Sequence, residues 1–168
     1  MNIVLRPLTL KDTPNIVKWR NSKDVKCNLF NHNDISEEQH LQYYRDYILT
    51  KKTIQFIIVA DGVDCGTTFL KNIDFINKKA EFGIFIGEKA FRGRGIGSIA
   101  ASKMVEIGFK KLGLNSIYLM VFSTNIAAIK SYIKTGFVIS KTDINYLSSN
   151  GTFVQTTEMR INKTNVPF

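Results

Sequence analysis

This sequence of 168 residues contains few of the residues that metal sites and disulfide frameworks require, with only two cysteines and two histidines. Cys27 and Cys65 lie far apart and match no metal-ligand spacing, and no cluster of ligands surrounds His32 or His40. We therefore expect no bound metal and two free thiols. Free thiols are typical of cytoplasmic proteins, so the cytoplasm is the location that the composition favours.

Long apolar runs are also missing from the chain. No window approaches the roughly 20 apolar residues of a membrane span, and Arg6 and Pro7 interrupt the N-terminal apolar segment too early for a signal peptide. We therefore expect no membrane partner. The length and the hydrophobic content of 44% are ordinary for one globular domain, residues 1–168, with a core of its own.

Acidic residues are the scarcer charged class, because 14 Asp and Glu stand against 23 Lys and Arg and give a formal net charge of +9. This excess attracts anions and repels polycations such as polyamines. The lysines are scattered or occur in short pairs, and no RNA-binding aromatic motif is present. We therefore do not expect nucleic acid as the partner.

The most informative segment is AEFGIFIGEKAFRGRGIG, from Ala80 to Gly97. Alternating apolar residues predict a strand from Ala80, and the apolar period of residues 96–112 predicts a helix. Gly93, Gly95 and Gly97 lie between the two. A glycine-rich loop that opens a helix directs unpaired backbone N–H groups toward one point at the positive end of the helix dipole. It therefore predicts an anion site, most often for a phosphate.

Two arginines, Arg92 and Arg94, add mobile positive charge to this loop. No Gly-Lys-Ser/Thr sequence follows the last glycine, which excludes a P-loop. A dinucleotide fingerprint needs Gly or Ala at its third position, where Ser98 stands, and an acidic residue about 20 residues later, which is absent. A glycine-rich turn without any ligand is the alternative interpretation.

The remaining patterns predict the order β-α-α-β-β-β-α-β-α-β-β. Thr13 is expected to cap the first helix, and Ser36 with Gln39 forms a capping box for the second. Asp61-Gly62 predicts a tight hairpin, and Gly136 ends the last helix. The other predicted strands are 2–9, 54–60, 63–74, 116–122, 137–144 and 153–161, and the last helix is 125–135.

Two motifs carry a family resemblance. Residues 92–97, RGRGIG, fit Arg/Gln-x-x-Gly-x-Gly/Ala between a strand and a helix, and residues 125–137, NIAAIKSYIKTGF, contain Asn, a small residue, and then Tyr followed by Gly-Phe. With this separation and order of elements, nearly the whole chain resembles the GNAT acyltransferases. The resemblance implies an α/β fold with a central mixed, mostly antiparallel sheet flanked by helices. It also implies an enzyme that transfers an acetyl group from acetyl-CoA to a primary amine directly, within a ternary complex.

The resemblance also implies where acetyl-CoA binds. The glycine loop would hold its pyrophosphate, and the backbone at the end of the preceding strand would hold its pantetheine arm. Asn125 would contact the cofactor or, alternatively, only cap its helix. The implied cofactor site comprises Phe85, Ile86, Gly87, Arg92, Gly93, Arg94, Gly95, Ile96, Gly97, Ser98 and Asn125.

Acetylation of an amine requires a base, because a primary amine has a pKa of about 10 and arrives protonated. Glu81 on the central strand is the candidate base, directly or through water, as in many members of the family. A surface carboxylate paired with Lys78 or Lys79 is the alternative. Tyr132 occupies the family's tyrosine position and is the candidate acid for the departing thiolate, with a core tyrosine as the alternative.

Three short motifs outside the cofactor site resemble one group of enzymes within the family and indicate the acceptor. Trp19-Arg20-Asn21, the spacing from Ile35 to His40, and Glu81-Phe82-Gly83 are similar to PseH-type enzymes, which acetylate the 4-amino group of a UDP-linked amino sugar in pseudaminic acid synthesis. This implies an anionic nucleotide sugar as the small-molecule acceptor. Arg20 would hold a phosphate, and Trp19 or Phe30 would stack on uracil. A core Trp19 and a structural His40 are the alternatives. The implied acceptor site comprises Trp19, Arg20, Asn21, Phe30 and His40.

Two other functions remain open. The RimJ/RimL group, which acetylates the N-termini of ribosomal proteins, shares the glycine loop and the basic charge. A non-enzymatic acyl-CoA or nucleic-acid binding module is the second, although the intact loop and Tyr132 argue against it. A homodimer is compatible with the sequence, which does not determine the oligomeric state.

Overall fold

Seven strands form one sheet in the computed structural model, which describes residues 1–166. The strand order is β1-β2-β3-β4-β5-β7-β6, and every neighbouring pair is antiparallel except β4 and β5. This confirms the expected mixed, mostly antiparallel sheet, and its parallel pair lies at the centre. The strands are β1 (Ile3–Pro7), β2 (Ile54–Ala60), β3 (Val63–Asp74), β4 (Lys79–Ile86), β5 (Ser116–Phe122), β6 (Val138–Leu147) and β7 (Phe153–Asn162).

Helices connect the strands. They are α1 (Thr13–Asn21), α2 (Lys23–Lys26), α3 (Glu37–Tyr43), α4 (Ile96–Glu106) and α5 (Ile126–Thr135). Wider π-helical turns continue α3 over Tyr44–Ile48 and α4 over Ile107–Lys111, and 3₁₀ turns occupy Leu10–Asp12, Lys89–Phe91 and Lys163–Asn165.

Local sequence signals determine several of these boundaries. The Ser36 hydroxyl accepts from the Gln39 N–H at 3.1 Å, and the Gln39 side chain accepts from the Ser36 N–H at 2.8 Å, which confirms the capping box. Asp61 and Gly62 both have positive φ, 48° and 83°, as the tight hairpin requires. The prediction of Thr13 as a cap is wrong, because Asp12 holds the cap position and Thr13 is the first helical residue.

The two faces of the sheet carry different helices. On one face, Phe82 and Ile117 pack with Met104 of α4, and Tyr132 of α5 adds to the same cluster. On the other face, Trp19 of α1 packs with Ile57 of β2 and the partly buried Phe85 of β4. The sheet therefore separates an α4–α5 layer from a layer formed by α1–α3. Within residues 1–166, no helix is long and apolar enough to cross a bilayer.

The central parallel pair is short. β4 and β5 pair only from Lys79–Glu81 to Ser116–Tyr118, and no β-pairing continues toward the glycine loop. Beyond Glu81, β4 pairs with β3 alone. The sheet therefore opens at its centre, and this opening connects its two faces.

Candidate active site

A cavity of about 1160 Å³ lies where β4 and β5 separate. Its wall includes Arg20 and His40 from the α1–α3 side, and Gly97 and Tyr132 from the α4–α5 side. Pockets for a single small ligand occupy roughly 300–1,000 Å³. This cavity is larger, so two substrates can meet in it from opposite faces of the sheet.

The glycine loop forms a cradle at the start of α4. Gly93 and Gly95 have φ of 71° and 78°, a conformation that L side chains rarely adopt. A Cβ built on either glycine meets no other atom within 4 Å, so a side chain there would project into open space. Since Gly95 caps α4, the N–H groups of the first helical turn lack intrahelical acceptors. This arrangement fits a phosphate group, which a side chain would displace.

The two loop arginines behave differently. The Arg92 guanidinium donates from Nε to the carbonyl oxygen of Ile86 and from Nη2 to that of Gly87, both at 2.9 Å, and its Nη1 forms an ion pair with Asp24 at 2.9 Å. The expectation of mobile charge at Arg92 is therefore wrong. Arg94 is exposed, lies 5.6 Å from the Phe91 ring and forms no ion pair within residues 1–166.

The end of β4 presents one peptide group to the opening. The Gly87 N–H donates to the Cys65 carbonyl of β3 at 2.8 Å. Because backbone groups alternate in direction along a strand, the N–H and the carbonyl of Ile86 point away from β3. On that side, Arg92 binds the Ile86 carbonyl. Phe85 and Ile86 also line the cavity. The backbone assigned to the pantetheine arm thus lies beside the glycine loop, with the carbonyls of Ile86 and Gly87 engaged by Arg92.

Tyr132 combines a core ring with an available hydroxyl. Its ring lies edge-to-face against Phe82 and Phe137, with centroids 5.9 and 6.0 Å away. The residue lines the cavity, and its hydroxyl makes no hydrogen bond to another residue of the described chain. Burial raises the pKa of Tyr132 to about 12, so the phenol keeps its proton at neutral pH.

Three further residues of the implied cofactor site have structural contacts. Asn125 caps α5 by accepting from the Ala128 N–H at 3.2 Å. The Ser98 hydroxyl lies 2.8 Å from the Ser131 hydroxyl and joins α4 to α5. The Ile96 side chain is buried, which leaves only its backbone for a ligand.

Residues 23–33, which we call the covering segment, bridge the mouth of the cavity. Asp24 binds Arg92 beside the glycine loop. Asn28 accepts from the Asn125 side-chain amide at 3.1 Å. Through these contacts the covering segment joins the α1–α3 layer to two residues that the sequence assigns to the cofactor.

Glu81 lines the cavity, but its carboxylate is already engaged. Oε1 pairs with Lys71 of β3 at 3.1 Å, and Oε2 accepts from the Asn72 amide at 2.9 Å. The partner is therefore the cross-strand lysine rather than Lys78 or Lys79. Because both oxygens already accept from protein donors, taking up a proton would break one of these contacts.

Two residues of the implied acceptor site are structural. Trp19 is 2% exposed, its indole N–H donates to Glu88 at 2.7 Å, and a Cβ built on Gly87 would come within 2.1 Å of its ring. The stacking role is therefore wrong for Trp19, which is closely packed beneath the end of β4. The amide of Asn21 exchanges two hydrogen bonds, of 2.8 and 2.9 Å, with the Ile35 peptide. Asn21 therefore holds a loop and does not line the cavity.

Arg20 and Phe30 do line the cavity. The Arg20 guanidinium donates to the carbonyl oxygens of Asn31 and Asn33, both at 2.9 Å, and forms no ion pair within residues 1–166. Phe30 lies 4.6 Å, centroid to centroid, from Tyr146. Tyr146 was missed by the sequence analysis, because its position on β6 carries no motif.

His40 is a buried part of the cavity wall, 4% exposed. Its Nδ1 lies 3.0 Å from the Thr13 hydroxyl, whereas its Nε2 has no hydrogen-bond partner in the described chain. Burial lowers the pKa of His40, and the charge of Asp12 acts in the opposite direction with a smaller effect. The imidazole is therefore neutral at neutral pH.

The thiols are both free, with Cys27 exposed and Cys65 buried. Residues 1–166 contain no group of three or more His, Cys, Asp or Glu side chains that could hold a metal ion.

Comparison with known proteins identifies relatives over most of the chain. The sequence model of the family described as "Acetyltransferase (GNAT) domain" matches residues 2–138. Spermidine N(1)-acetyltransferase of Escherichia coli is 28% identical over 138 residues, 82% of this chain and 74% of the relative. Acetyltransferase PseH of Campylobacter jejuni is 28% identical over 131 residues, 76% of this chain and 78% of the relative.

A solved structure has the same fold. The crystal structure of spermidine N-acetyltransferase from Vibrio cholerae, in complex with CoA and spermine, superposes with a TM-score of 0.89. The match covers 97% of this chain and 96% of that one at 24% sequence identity.

Proposed function

This chain belongs to the GNAT acetyltransferase family, and on that premise we propose that it acetylates the 4-amino group of a UDP-linked amino sugar. Membership makes it an acetyl-CoA-dependent N-acetyltransferase. The proposal concerns the acceptor, its place in surface-sugar biosynthesis, and direct transfer within a ternary complex. A cavity open to both faces of the sheet supports direct transfer, because both substrates can reach the same point.

The charge of the cavity wall carries the proposal of an anionic acceptor. Three permanent cations line the wall, Arg20, Lys71 and Arg92, against two carboxylates, Asp24 and Glu81. Each carboxylate is already paired, with Arg92 and with Lys71. Arg20 keeps its charge without a carboxylate partner in the described chain. A partly buried cation of this kind favours a phosphate, with which a guanidinium forms charge-assisted hydrogen bonds.

The cofactor site follows from the glycine cradle. We propose that the backbone N–H groups at residues 93–98 and the exposed Arg94 hold the pyrophosphate of acetyl-CoA. Acetyl-CoA supplies the activated acetyl group, and the end of β4 directs its arm into the opening. Tyr132 provides the proton for the departing sulfur, since its phenol is protonated and lies in the cavity wall.

A polyamine is the second candidate acceptor, because spermidine acetyltransferases are among the relatives. A polyamine carries several ammonium groups, and its binding requires carboxylates that are free to pair with them. Both carboxylates of the cavity wall are engaged, and the net charge of +9 repels polycations. The N-terminus of a ribosomal protein is the third candidate, through the RimJ/RimL resemblance.

A panel assay tests the acceptor. Thiol release from acetyl-CoA is measured with a UDP-4-amino sugar, the same sugar without UDP, spermidine and an N-terminal ribosomal peptide. We expect the UDP-linked sugar to give the highest kcat/KM. Equal turnover of the free sugar would remove the role of the nucleotide, whereas turnover of spermidine or the peptide alone would replace the sugar by that acceptor.

We also propose a homodimer. β6 is an edge of the sheet. Val138 and Leu147 on this strand are both 57% exposed, and Phe153 on the neighbouring β7 is 73% exposed. An edge strand with exposed apolar side chains favours pairing with a second chain. Light scattering of the wild type and of Phe153→Lys tests this, and a wild type that remains a monomer at micromolar concentration would contradict it.

A further inference from the structure

His40 has an arrangement that the proposed site does not use. Its imidazole is buried in the cavity wall, between the Thr13 hydroxyl at Nδ1 and an Nε2 without a partner in the described chain. Buried polar atoms in folded proteins nearly always have a hydrogen-bond partner. An unpartnered nitrogen on a residue of a cavity wall therefore indicates a partner that binds in the cavity.

His40 differs from Glu81, the other candidate base, in whether its accepting atoms already have hydrogen-bond partners. Both Glu81 oxygens accept hydrogen bonds from β3, one from Lys71 and one from Asn72. The Nε2 of His40 has no such contact. A base needs a lone pair that no other donor occupies, so the imidazole is favoured over the carboxylate. Because Nε2 is screened from solvent, a neighbouring side chain must move before the acceptor ammonium can contact it.

We propose that His40, rather than Glu81, takes the proton from the acceptor ammonium. The proposal rests on the acetyl transfer proposed above, but not on the identity of the acceptor. It requires that Nδ1 donates its hydrogen to the Thr13 hydroxyl, which leaves the lone pair on Nε2. In this arrangement Thr13, in the first turn of α1, fixes the tautomer and the orientation of the ring.

The protons and bonds balance as follows. The acceptor ammonium gives its first proton to Nε2 of His40, and the free amine attacks the acetyl carbonyl carbon. A C–N bond forms and the C–S bond breaks. The second proton of the nitrogen passes through the Tyr132 hydroxyl to the sulfur, which leaves as the thiol of CoA. The imidazolium then returns its proton to water.

The groups around His40 keep the imidazole neutral. From the turn before α1, the Asp12 charge favours the protonated form, but Asp12 is bound to Arg6 at 2.7 Å. From α3 itself, the Tyr43 ring lies 6.4 Å away, centroid to centroid, and burial raises the pKa of Tyr43. Burial of His40 is the dominant effect and favours the neutral form.

The pH–rate profile of His40→Gln tests the proposal. We expect kcat/KM at neutral pH to fall by about 10²–10⁴-fold, the usual contribution of general acid–base catalysis. The loss should shrink as the pH approaches the pKa of the acceptor ammonium, because more of the acceptor is then already a free amine and needs no base. The matched control is His32→Gln, since His32 is the second histidine and does not line the cavity. Because His32 belongs to the covering segment, kcat/KM can change in this variant, but the shape of its pH profile should equal that of the wild type.

Three outcomes of the kinetics would overturn the proposal. The first is a pH profile of His40→Gln that equals that of the wild type. The second is the same fractional loss of kcat/KM in His40→Gln at every pH. The third is a pH dependence that disappears in Glu81→Gln and remains in His40→Gln. Circular dichroism and acetyl-CoA affinity establish that each variant is folded. The assay uses whichever amine the wild type acetylates, so an acceptor other than the UDP-linked sugar refutes that acceptor and leaves the His40 test intact.

NMR decides the matter if His40→Gln does not fold or no panel amine is acetylated. His32→Gln contains a single imidazole, so its nitrogen shifts give the tautomer and the pKa of His40 directly. We expect the hydrogen on Nδ1 and a pKa below that of an exposed histidine, because burial disfavours the imidazolium. A hydrogen on Nε2 in the neutral protein would overturn the proposal, because that nitrogen could not then accept a proton.

Discussion

Asp24 and Arg92 form an ion pair of 2.9 Å that joins the covering segment to the loop before α4. The same guanidinium binds the carbonyl oxygens of Ile86 and Gly87 at the end of β4. An acetyl-CoA arm that pairs with this backbone must therefore displace Arg92 from at least one of its contacts. With the cofactor arm in the proposed position, the ion pair would connect cofactor binding to the covering segment.

Removal of Asp24 should ease this displacement. We expect Asp24→Asn to lower the Kd for acetyl-CoA by up to about 5-fold, because exposed ion pairs contribute about 0–1 kcal/mol. Calorimetry measures the change. Asp34→Asn is the control, since Asp34 pairs with Lys26 in the same region and not with Arg92. A weaker affinity in Asp24→Asn would show that the ion pair supports the cofactor site.

The glycine cradle predicts a separation between stability and binding. In Gly95→Asp, a carboxylate would project into the proposed phosphate position, so we expect acetyl-CoA binding to be lost. Gly113→Asp is the control, because Gly113 also has a positive φ, 67°, with open space around it, and does not line the cavity. Both should lose about 1–2 kcal/mol of stability from the left-handed backbone. Similar acetyl-CoA affinities by calorimetry would contradict the cradle.

The Tyr132 hydroxyl predicts a defect in catalysis without a defect in folding. We expect Tyr132→Phe to lower kcat by about 10²–10⁴-fold with little change in the KM for acetyl-CoA. The thermal midpoint should hardly change, since the hydroxyl has no partner in the described chain. Tyr118→Phe, outside the cavity, is the control. A fully active Tyr132→Phe enzyme would assign this tyrosine to the core alone.

The position of Arg20 in the cavity wall predicts that its removal weakens binding of the acceptor and not of acetyl-CoA. A charge-assisted hydrogen bond contributes about 1.5–3 kcal/mol, so Arg20→Ala should raise the acceptor KM by about 10–150-fold. Steady-state kinetics should show an unchanged KM for acetyl-CoA. Arg45→Ala, an exposed arginine bonded to Gln42, serves as the control. An unchanged acceptor KM in Arg20→Ala would limit Arg20 to holding the carbonyls of Asn31 and Asn33.

The buried His40 predicts a dependence of stability on pH. Its pKa is lowered in the folded state by burial, so below about pH 6.5 the unfolded chain binds more protons than the native one. The contribution of His40 to the free energy of unfolding should therefore fall as the pH falls through this value. Urea unfolding at pH 7.5 and pH 5.5 measures the change, which should be smaller in His40→Gln. An equal change in both proteins would contradict this contribution.

Local signals explain why the fold was predictable. The Asp61-Gly62 hairpin, the Ser36 capping box and the positive φ of Gly95 depend on neighbouring residues alone. Strand periodicity then predicted all seven strands, with shifted boundaries, as where β6 extends to Leu147. The short α2 and the 3₁₀ turns carry no such period and were not predicted. Tyr132, which the family resemblance selected, lines the cavity, and its catalytic role stays a prediction.

The sequence by itself determined the elements, the glycine cradle and the basic charge, because these depend on residue type and on spacing along the chain. Only the tertiary structure decided which side chains are available to a ligand. Trp19 is covered by Gly87 and Glu88, and Arg92 is held by Asp24, at separations of 68 to 69 residues. Burial and ion pairing depend on such distant partners, which no local pattern specifies. The packing around the end of β4 therefore buries Trp19 and keeps it out of the cavity wall.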